Sequence, residues 1–495
     1  MNNLLCVSRL VSRLAAAPLI LLLFLASATP AVAAEPKPVH VGFGEADITP
    51  DVKGKKPVWL AGYGMGRRAT GVHDPLMARC LVLGDGGEKI ALVSVDLIGL
   101  QYPEVKEIRK GLMDFKYVLV SSTHNHEGPD VIGIWGRGPF SRGVDDDYVA
   151  SVVSKVVDLV KKTAENLAPA VAAYGTASDE TLLGDSRRPF AKDGVLRVIK
   201  FTKAGDIQPG SKEPAGLLVQ WNCHPEAMGS RNTEITADFP YATVAKLKDQ
   251  HNCPILYMSG AIGGLMAPPR RSIKDGQGKV LEEGDFEFCR VYGEAVADLA
   301  TQASAAAEPM ELTPFTVSAR PIAIPVTNPL YRLARVARIL RREGRIWEGD
   351  FQKLGEIASE DTIDKPTAVE SEVAYLRLGD LHVAGIPGEL YPELIYGKFQ
   401  EPAEPNADYP DAPLEPTVES ILPGKKWLLF GLANDEIGYI IPRRQWDAAP
   451  PYAYGRETSQ YGEINSCSPD VAPIIMQALQ LRVQDVTTPA AASPK

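Results

Sequence analysis

Residues 117–130 read Tyr-Val-Leu-Val-Ser-Ser-Thr-His-Asn-His-Glu-Gly-Pro-Asp, an apolar run that leads directly into two histidines. Short apolar runs rich in β-branched and aromatic residues are typical of buried strands. Alternate residues of an extended chain point to the same side, so His124 and His126 can face one site. This stretch therefore predicts a strand whose carboxyl end presents two imidazoles, which are good metal ligands.

Further apolar runs also end in polar or Gly-rich loops and predict buried strands; they lie at 90–95, 217–221, 255–258, 381–384 and 427–430. Between them, residues 148–167 and 286–307 carry apolar side chains at helical spacing. This alternation predicts an α/β fold with mixed sheets flanked by helices. A Pro-containing stretch at 308–325 then indicates an edge strand and a boundary between two halves of the chain.

Three of these loops carry further candidate ligands, namely His224, Glu389 and Tyr439. Ligands of open α/β sheets bind outside the carboxyl ends of the strands, so these residues and the histidine pair are expected at one edge. Imidazole nitrogen and carboxylate oxygen are usual zinc ligands, and a catalytic zinc keeps one position open for water. We therefore predict a zinc site at this edge.

A zinc site of this kind supplies a nucleophile without a catalytic serine. Zinc lowers the pKa of bound water from ~15.7 to about 7, which produces hydroxide at neutral pH. The sequence contains no Gly-x-Ser-x-Gly elbow, no His-Glu-x-x-His helix and no Walker loop. The residues thus favour hydrolysis by a metal-bound hydroxide over hydrolysis by a serine nucleophile, by a His-Glu-x-x-His site or by a nucleotide-binding Walker loop.

The amino terminus predicts an exported protein, periplasmic or secreted. Arg9 and Arg13 precede an apolar run at 14–26 and a small-residue cleavage site at 31–34, the pattern of a secretory signal peptide. The run is shorter than the ~20 residues that a membrane span needs. Without residues 1–34 the chain has 50 basic (52 minus 2) and 62 acidic side chains, a net charge of −12 that argues against nucleic-acid binding. The remaining cysteines are widely spaced and predict no disulfide framework.

Residues 330–345 form a candidate basic amphipathic helix with six arginines. Such a helix can make peripheral contact with an anionic membrane, although a solvated face over an ordinary core stripe explains the same pattern. The Pro/Ala/Thr-rich tail is expected to be disordered. The predicted organisation is a signal peptide at 1–34, an α/β catalytic domain at 35–482 and a disordered tail at 483–495, with the oligomeric state left open.

A series of motifs in chain order resembles the neutral/alkaline non-lysosomal ceramidase family. The motifs are Val-Gly-Phe-Gly-Glu-Ala-Asp-Ile-Thr-Pro at 41–50, Gly-Tyr-Gly at 62–64, Gly-Val-His-Asp at 71–74, Leu-Val-Ser-Val-Asp at 92–96, Thr-His-Asn-His-Glu-Gly-Pro at 123–129 and Thr-Ala-Asp-Phe-Pro at 236–240. The resemblance covers about residues 40–475. An ordered series is far more specific than any single motif.

The resemblance implies one zinc per chain, held by His124, His224, Glu389 and Tyr439. It also implies that His126 lies beside the metal and orients substrate or moves a proton. Arg187 and Tyr461 are implied to bind substrate or the developing oxyanion, although a packing or solvated role explains them equally well. The expected activity is zinc-dependent hydrolysis of an amide or ester, with an acyl amide or a ceramide-like sphingolipid as the substrate.

Two departures from the family leave the substrate open. The family carries an essential serine where this chain has Met266, and the family's C-terminal immunoglobulin-like domain has no counterpart in this sequence. Leu265 and Met266 could instead line a lipid chain, or they could simply pack on the core.

Two other functions are consistent with the same residues. One is a dinuclear hydrolase of the metallo-β-lactamase type, because Asp130 follows the His-x-His pair. That motif needs an Asp-His pair where this chain has Gly128 and Pro129, which disfavours it. The other is a binding protein that keeps the scaffold without turnover.

Overall fold

In the computed structural model, which describes residues 37–205, 214–359 and 365–488, strands and helices alternate along the chain. The strands are β1 (Val39–Asp47), β2 (Gly71–Val72), β3 (Met77–Asp85), β4 (Glu88–Val95), β5 (Tyr117–Ser122), β6 (Ala168–Ser178), β7 (Val195–Lys203), β8 (Gly216–Trp221), β9 (Glu234–Ile235), β10 (Ile255–Ser259), β11 (Glu308–Met310), β12 (Phe315–Val326), β13 (Arg345–Ile346), β14 (Thr367–Leu378), β15 (Leu381–Gly385), β16 (Glu389–Leu390), β17 (Trp427–Phe430) and β18 (Tyr439–Ile440). The helices are α1 (Tyr102–Lys110), α2 (Asp146–Ala164), α3 (Phe239–His251), α4 (Phe286–Ala305), α5 (Pro329–Val336), α6 (Glu393–Tyr396), α7 (Val418–Ile421) and α8 (Val471–Thr487).

The main strands form two mixed sheets, which confirms the predicted fold class. The first sheet has the order β10-β8-β7-β6-β1-β3-β4-β5, with β11 also paired to β6, and the second has the order β12-β14-β15-β17, with β13 paired to β14. The neighbours β4/β5, β8/β10 and β15/β17 are parallel. The chain leaves the first sheet after β11 and starts the second at β12, which is an edge strand as predicted.

The two sheets pack face to face between layers of helices. Leu119 and Leu256 of the first sheet share a buried core with Leu376 and Leu428 of the second. Helices α1 to α4 cover the other face of the first sheet, and α8 covers the outer face of the second. A strand that is buried on both faces carries apolar side chains at successive positions. This is why the continuous apolar runs of the sequence predicted these strands.

The segment at 330–345 is not one helix, and that prediction was wrong. Helix α5 begins after the cap Asn328, whose side-chain oxygen accepts from the amides of Leu330 and Tyr331, and it ends at Val336. Arg338 then adopts φ 58°, a left-handed conformation that an α-helix does not tolerate. The chain turns so that the Arg342 guanidinium reaches Asp435, and this long-range ion pair overrides the local helical periodicity.

The ends of the chain fall largely outside the described residues. The predicted signal peptide at 1–34 lies outside them, as do residues 489–495 of the predicted tail. Helix α8 continues to Thr487, so the predicted start of the tail at 483 was too early. Within 37–205, 214–359 and 365–488, none of the helices is both long and apolar enough to cross a membrane.

Candidate metal centre

The carboxyl ends of strands from both sheets meet at one place. The Ser121 Oγ of β5 donates to the carbonyl of Gly431, directly after β17, over 2.8 Å. The Gly431 amide in turn donates to the carbonyl of Ser259 at the end of β10 over 3.0 Å. The loops that follow these strands therefore start from a common edge, as the sequence predicted.

His124 and His224 are buried, and each has its Nδ1 tied to a main-chain carbonyl. His124 Nδ1 lies 2.6 Å from the oxygen of Ile98, and His224 Nδ1 lies 2.9 Å from the oxygen of Met266. A carbonyl can only accept, so both Nδ1 atoms carry the proton. His124 Nε2 keeps a lone pair, whereas His224 Nε2 faces the Glu389 carboxylate; burial lowers the pKa of His224, but this hydrogen bond raises it above its usual value. Metal-binding histidines are usually oriented in this way.

The backbone of His124 is strained. Its φ of 66° lies in the left-handed region, which costs a non-glycine residue about 1–3 kcal/mol and persists only where the surroundings impose it. Here the imidazole is fixed by Ile98, and the next residue is fixed by a bond from the Asn125 amide to the carbonyl of Leu97. Such strain is common where a side chain must be aimed at a functional site.

Glu389 and Tyr439 complete the predicted ligand set. Glu389 Oε2 lies 2.8 Å from His224 Nε2 and 3.6 Å from His124 Nε2. Strands β16 and β18 are parallel with Glu389 opposite Tyr439, so the register itself places the phenol beside the carboxylate. Burial alone would raise the pKa of Glu389, but His124, His224 and Tyr439 together lower it. The carboxylate is therefore held in its charged form.

His126 lies against the same group but has no hydrogen-bond partner. Its two ring nitrogens are buried and unpaired among the described residues. One ring nitrogen from each of His124, His126 and His224 lies within 4.8 Å of the others. A buried polar atom without a partner costs about 1–3 kcal/mol, which a bound group would relieve.

The chemistry of these donors fits a metal ion. Burial lowers the pKa of His124 to about 4 and the pKa of His126 well below its usual value, so both imidazoles are neutral at pH 7. Neutral imidazole and charged carboxylate are the forms that bind zinc. His124, His126, His224 and Glu389 could therefore hold a metal, with Tyr439 beside them.

Tyr461 and Arg187 have different surroundings. The Tyr461 side chain is 50% exposed and its ring centre lies 5.9 Å from that of Tyr439. Arg187 is buried and makes two bonds to the carboxylate of Glu463, at 2.7 and 2.9 Å, and one of 2.8 Å to the carbonyl of Tyr461. Arg187 thus contacts the backbone of the Tyr461 loop, and its predicted substrate contact stays a prediction.

A cavity of about 100 Å³ extends from the metal centre to helix α5. One group of its lining residues, here called the metal wall, consists of His124, His126, Glu389 and Tyr439. A second group, here called the α5 wall, consists of residues of α5 and the turn after it: Tyr331, Arg335, Leu340 and Arg342. Apolar residues such as Ile98, Ile132, Trp135, Val326 and Ile437 also line the cavity. The cavity therefore presents an apolar surface next to the metal centre.

Leu265 and Met266 do not line this cavity. Met266 is fully buried in the core beneath α3 and α4, and its carbonyl holds His224. Leu265 packs on the core between the second sheet and α8. The suggestion that these two residues line a lipid chain was therefore wrong, and Met266 instead serves the metal centre through its main chain.

Two contributors to the site were not predicted. Glu226 Oε2 lies 3.6 Å from His126 Nδ1, and burial raises the pKa of this carboxyl to about 7. Gly62 has φ 93° and lies so close to His126 that a Cβ at this position would be 2.4 Å from the imidazole ring. Glu226 follows His224 by two residues, so its position was a usable signal, whereas nothing in the sequence links Gly62 to His126.

No family model matches the sequence. Among solved structures, the chain is similar to the neutral ceramidase from Pseudomonas aeruginosa, with a TM-score of 0.63 and 16% identity over 93% of this chain and 77% of that chain. It is also similar to a ceramidase complexed with C2, with a TM-score of 0.64, 16% identity and the same two shares, 93% and 77%. These likenesses confirm a ceramidase-like fold, as the motifs predicted.

Proposed function

We propose that this protein is a zinc-dependent hydrolase that cleaves an amide or ester bond of an acyl substrate. The observation that carries the proposal is the group of His124, His126 and His224 around Glu389 on the wall of an apolar cavity. The ceramidase-like fold supports an amide as the bond that is cleaved. We assign one zinc to His124, His224, Glu389 and Tyr439.

Zinc bound there would polarise the substrate carbonyl and lower the pKa of water from ~15.7 to about 7. The protein's own groups then position the substrate and move protons. His126 is neutral, so its free nitrogen can accept a proton from the attacking water and return it to the leaving amine or alcohol. The Tyr461 hydroxyl, held by the Asn465 amide at 2.5 Å, can donate to the carbonyl oxygen as charge develops there.

The primary test is to purify the chain, measure its metal content, and assay N-acyl amides and esters with and without a chelator. We expect one zinc per chain and chelator-sensitive hydrolysis that His124→Ala abolishes. Two metals per chain would instead support the dinuclear alternative. A chain with neither metal nor turnover would contradict the proposal and favour the binding-protein alternative.

The role of His126 has its own test, because its nitrogens also lie within reach of a metal. We expect His126→Ala to retain its zinc while kcat falls by about 10²–10⁴-fold, the usual contribution of a general acid or base. Loss of zinc from this variant would make His126 a ligand and remove it from proton transfer.

We also propose a ceramide-like lipid amide as one substrate class. The apolar cavity supports it, as do the ceramidases of similar fold. Hydrolysis of N-acylsphingosines of increasing acyl length tests this class, and kcat/KM should rise with chain length if the cavity holds the acyl chain. A flat length profile would contradict this assignment.

Two further proposals concern location. The sequence of 1–34 supports export, and an intact amino terminus on the protein recovered from cells would contradict it. The exposed Leu330, Leu333 and Val336 of α5 support contact with an anionic membrane, given the exposed cation Arg338 in the next turn. Co-sedimentation with phosphatidylserine vesicles, but not with phosphatidylcholine vesicles, is the expected result, and equal sedimentation with both would contradict a charge-dependent contact.

A further inference from the structure

Arg335 is a cation on the α5 wall that has no acidic partner among the described residues. Its side chain lines the cavity and is half-buried. Among the described residues it makes no ion pair and no side-chain hydrogen bond. The guanidinium lies against the main chain of Gly344, where a Cβ would come within 2.3 Å of both terminal nitrogens. This packing holds the group in place without supplying an anion.

The other arginine of the α5 wall is neutralised. Arg342 is bonded to both carboxylate oxygens of Asp435, one at 2.8 Å, and to the carbonyl of Glu370 at 2.5 Å. The carboxylate of Asp435 accepts from the Ser371 hydroxyl as well, which fixes it toward Arg342. Arg342 therefore has little capacity left for a ligand.

The charged group that acts on Arg335 is a second arginine. Burial and the neighbouring charge of Arg332 lower the pKa of the Arg335 guanidinium, and no acidic group among the described residues offsets them. The cavity also contains the Glu436 carboxyl, whose Oε1 accepts from the Gly438 amide at 2.7 Å and whose Oε2 has no hydrogen-bond partner among the described residues; it makes no ion pair with Arg335. An anionic ligand group at Arg335 would supply the missing partner, and arginine binds carboxylate and phosphate through two parallel bonds.

We propose that Arg335 favours substrates that carry an anionic group, so that an acyl amide with a carboxylate or a phosphate on its amine part is cleaved in preference to a neutral amide such as an N-acylsphingosine. The inference rests on the proposed hydrolase function and narrows its substrate class. In this arrangement the metal wall receives the amide, the apolar lining residues contact the acyl chain, and Arg335 binds an anion on the amine part. Arg335 is a specificity residue, because it binds the substrate without belonging to the proposed ligand set or to the proton-transfer groups.

Three dodecanoyl amides that differ only in the amine part test this assignment. N-dodecanoylglycine carries a carboxylate, N-dodecanoyl-phosphoethanolamine carries a phosphate, and N-dodecanoylethanolamine is neutral. We expect the zinc-loaded protein to prefer at least one anionic substrate over the neutral one by tenfold or more in kcat/KM. The anionic substrate with the higher kcat/KM identifies whether the preferred anion is a carboxylate or a phosphate.

Three variants distinguish the effect of the Arg335 charge from the effect of the positive charge of residues 330–345 as a whole. They are Arg335→Gln, Arg335→Lys and Arg338→Gln. Arg338 is exposed and does not line the cavity, so it is a matched control. Arg335→Gln should reduce the anion preference at least tenfold, Arg335→Lys should retain part of it, and Arg338→Gln should keep the original ratio. An unchanged ratio in Arg335→Gln would overturn the inference.

A binding measurement keeps this test separate from the proposed function. If the protein hydrolyses none of the three amides, the hydrolase proposal fails, and calorimetric titration with N-dodecanoylglycine decides the role of Arg335. Binding that is at least tenfold tighter in the unmodified protein than in Arg335→Gln supports an anion site. Equal affinities would exclude it.

Discussion

The metal wall and the α5 wall face the same cavity but are built in opposite ways. The metal wall lies at the ends of buried strands, and its histidines and Glu389 are fully enclosed. The α5 wall begins with an eight-residue helix that has no buried side chain, and Leu333 on that helix is 58% exposed. A rigid wall suits groups that must hold a metal, whereas a lightly packed wall can change with little loss of stability. Under the two proposals made above, the chemistry belongs to the metal wall and the substrate choice to the α5 wall.

The largest effect should come from breaking the metal wall at Glu389. Glu389→Gln keeps the shape but removes the carboxylate charge that contacts both His124 and His224, so we expect zinc affinity to fall by more than about 100-fold, beyond the 10–100-fold typical of outer-shell changes. Competition with a chromogenic chelator measures the affinity. Glu370→Gln, which alters a partly exposed ion pair with Arg345, is the control and should bind zinc normally. Normal affinity in Glu389→Gln would remove this residue from the ligand set.

The next effect concerns the buried support behind the metal wall. Arg187→Ala leaves the Glu463 carboxylate buried without its partner, which should cost about 3–5 kcal/mol in the free energy of unfolding. Urea unfolding measures this loss. The exposed pair of Lys398 and Glu180 is the contrast, and Lys398→Ala should cost no more than about 1 kcal/mol. Similar losses in the two variants would contradict the view that the buried pair of Arg187 and Glu463 contributes more to stability than an exposed ion pair does.

A glycine tests how closely the metal wall is packed. Gly62→Ala would place a methyl group 2.4 Å from the His126 ring and strain a backbone at φ 93°, so His126 must move. Displacement of about 1 Å can cost roughly 100-fold in rate, and we expect a loss of that order in kcat while zinc is retained. Gly64→Ala is the matched control, since nothing lies within 4 Å of its new methyl group. Full activity in Gly62→Ala would show that His126 tolerates movement.

The metal wall was predictable from the sequence because its signals are local. Each candidate ligand follows an apolar run by a few residues, and the run predicts both the strand and the end at which the loop begins. His124, His126 and His224 are brought together in the structure, as the strand ends predicted. The predicted reason for the first pair was wrong, because His124 at φ 66° is not extended and the alternation of an extended strand does not continue through it. The strand register also explains why Glu389 and Tyr439 lie side by side.

The α5 wall was mispredicted because its structure depends on distant residues. Local periodicity favoured a helix over 330–345, but Arg342 pairs with Asp435, 93 positions away in the chain. The buried pair of Arg187 and Glu463 is separated by 276 positions and has no local signature either. Contacts of this kind are set by how two sheets and their loops pack, which a single sequence does not reveal.

The smallest effect should come from the outer face of α5. Leu333→Ser changes an exposed side chain that packs on no core, so we expect the free energy of unfolding to change by no more than about 0.5 kcal/mol and zinc content to stay the same. Leu428→Ala, in the core between the sheets, should cost about 2–5 kcal/mol in the same urea experiment. A loss above 2 kcal/mol for Leu333→Ser would mean that α5 is held as firmly as the strand ends. Substrate choice would then be constrained by stability on both sides of the cavity, because a change of substrate at α5 would also weaken the fold.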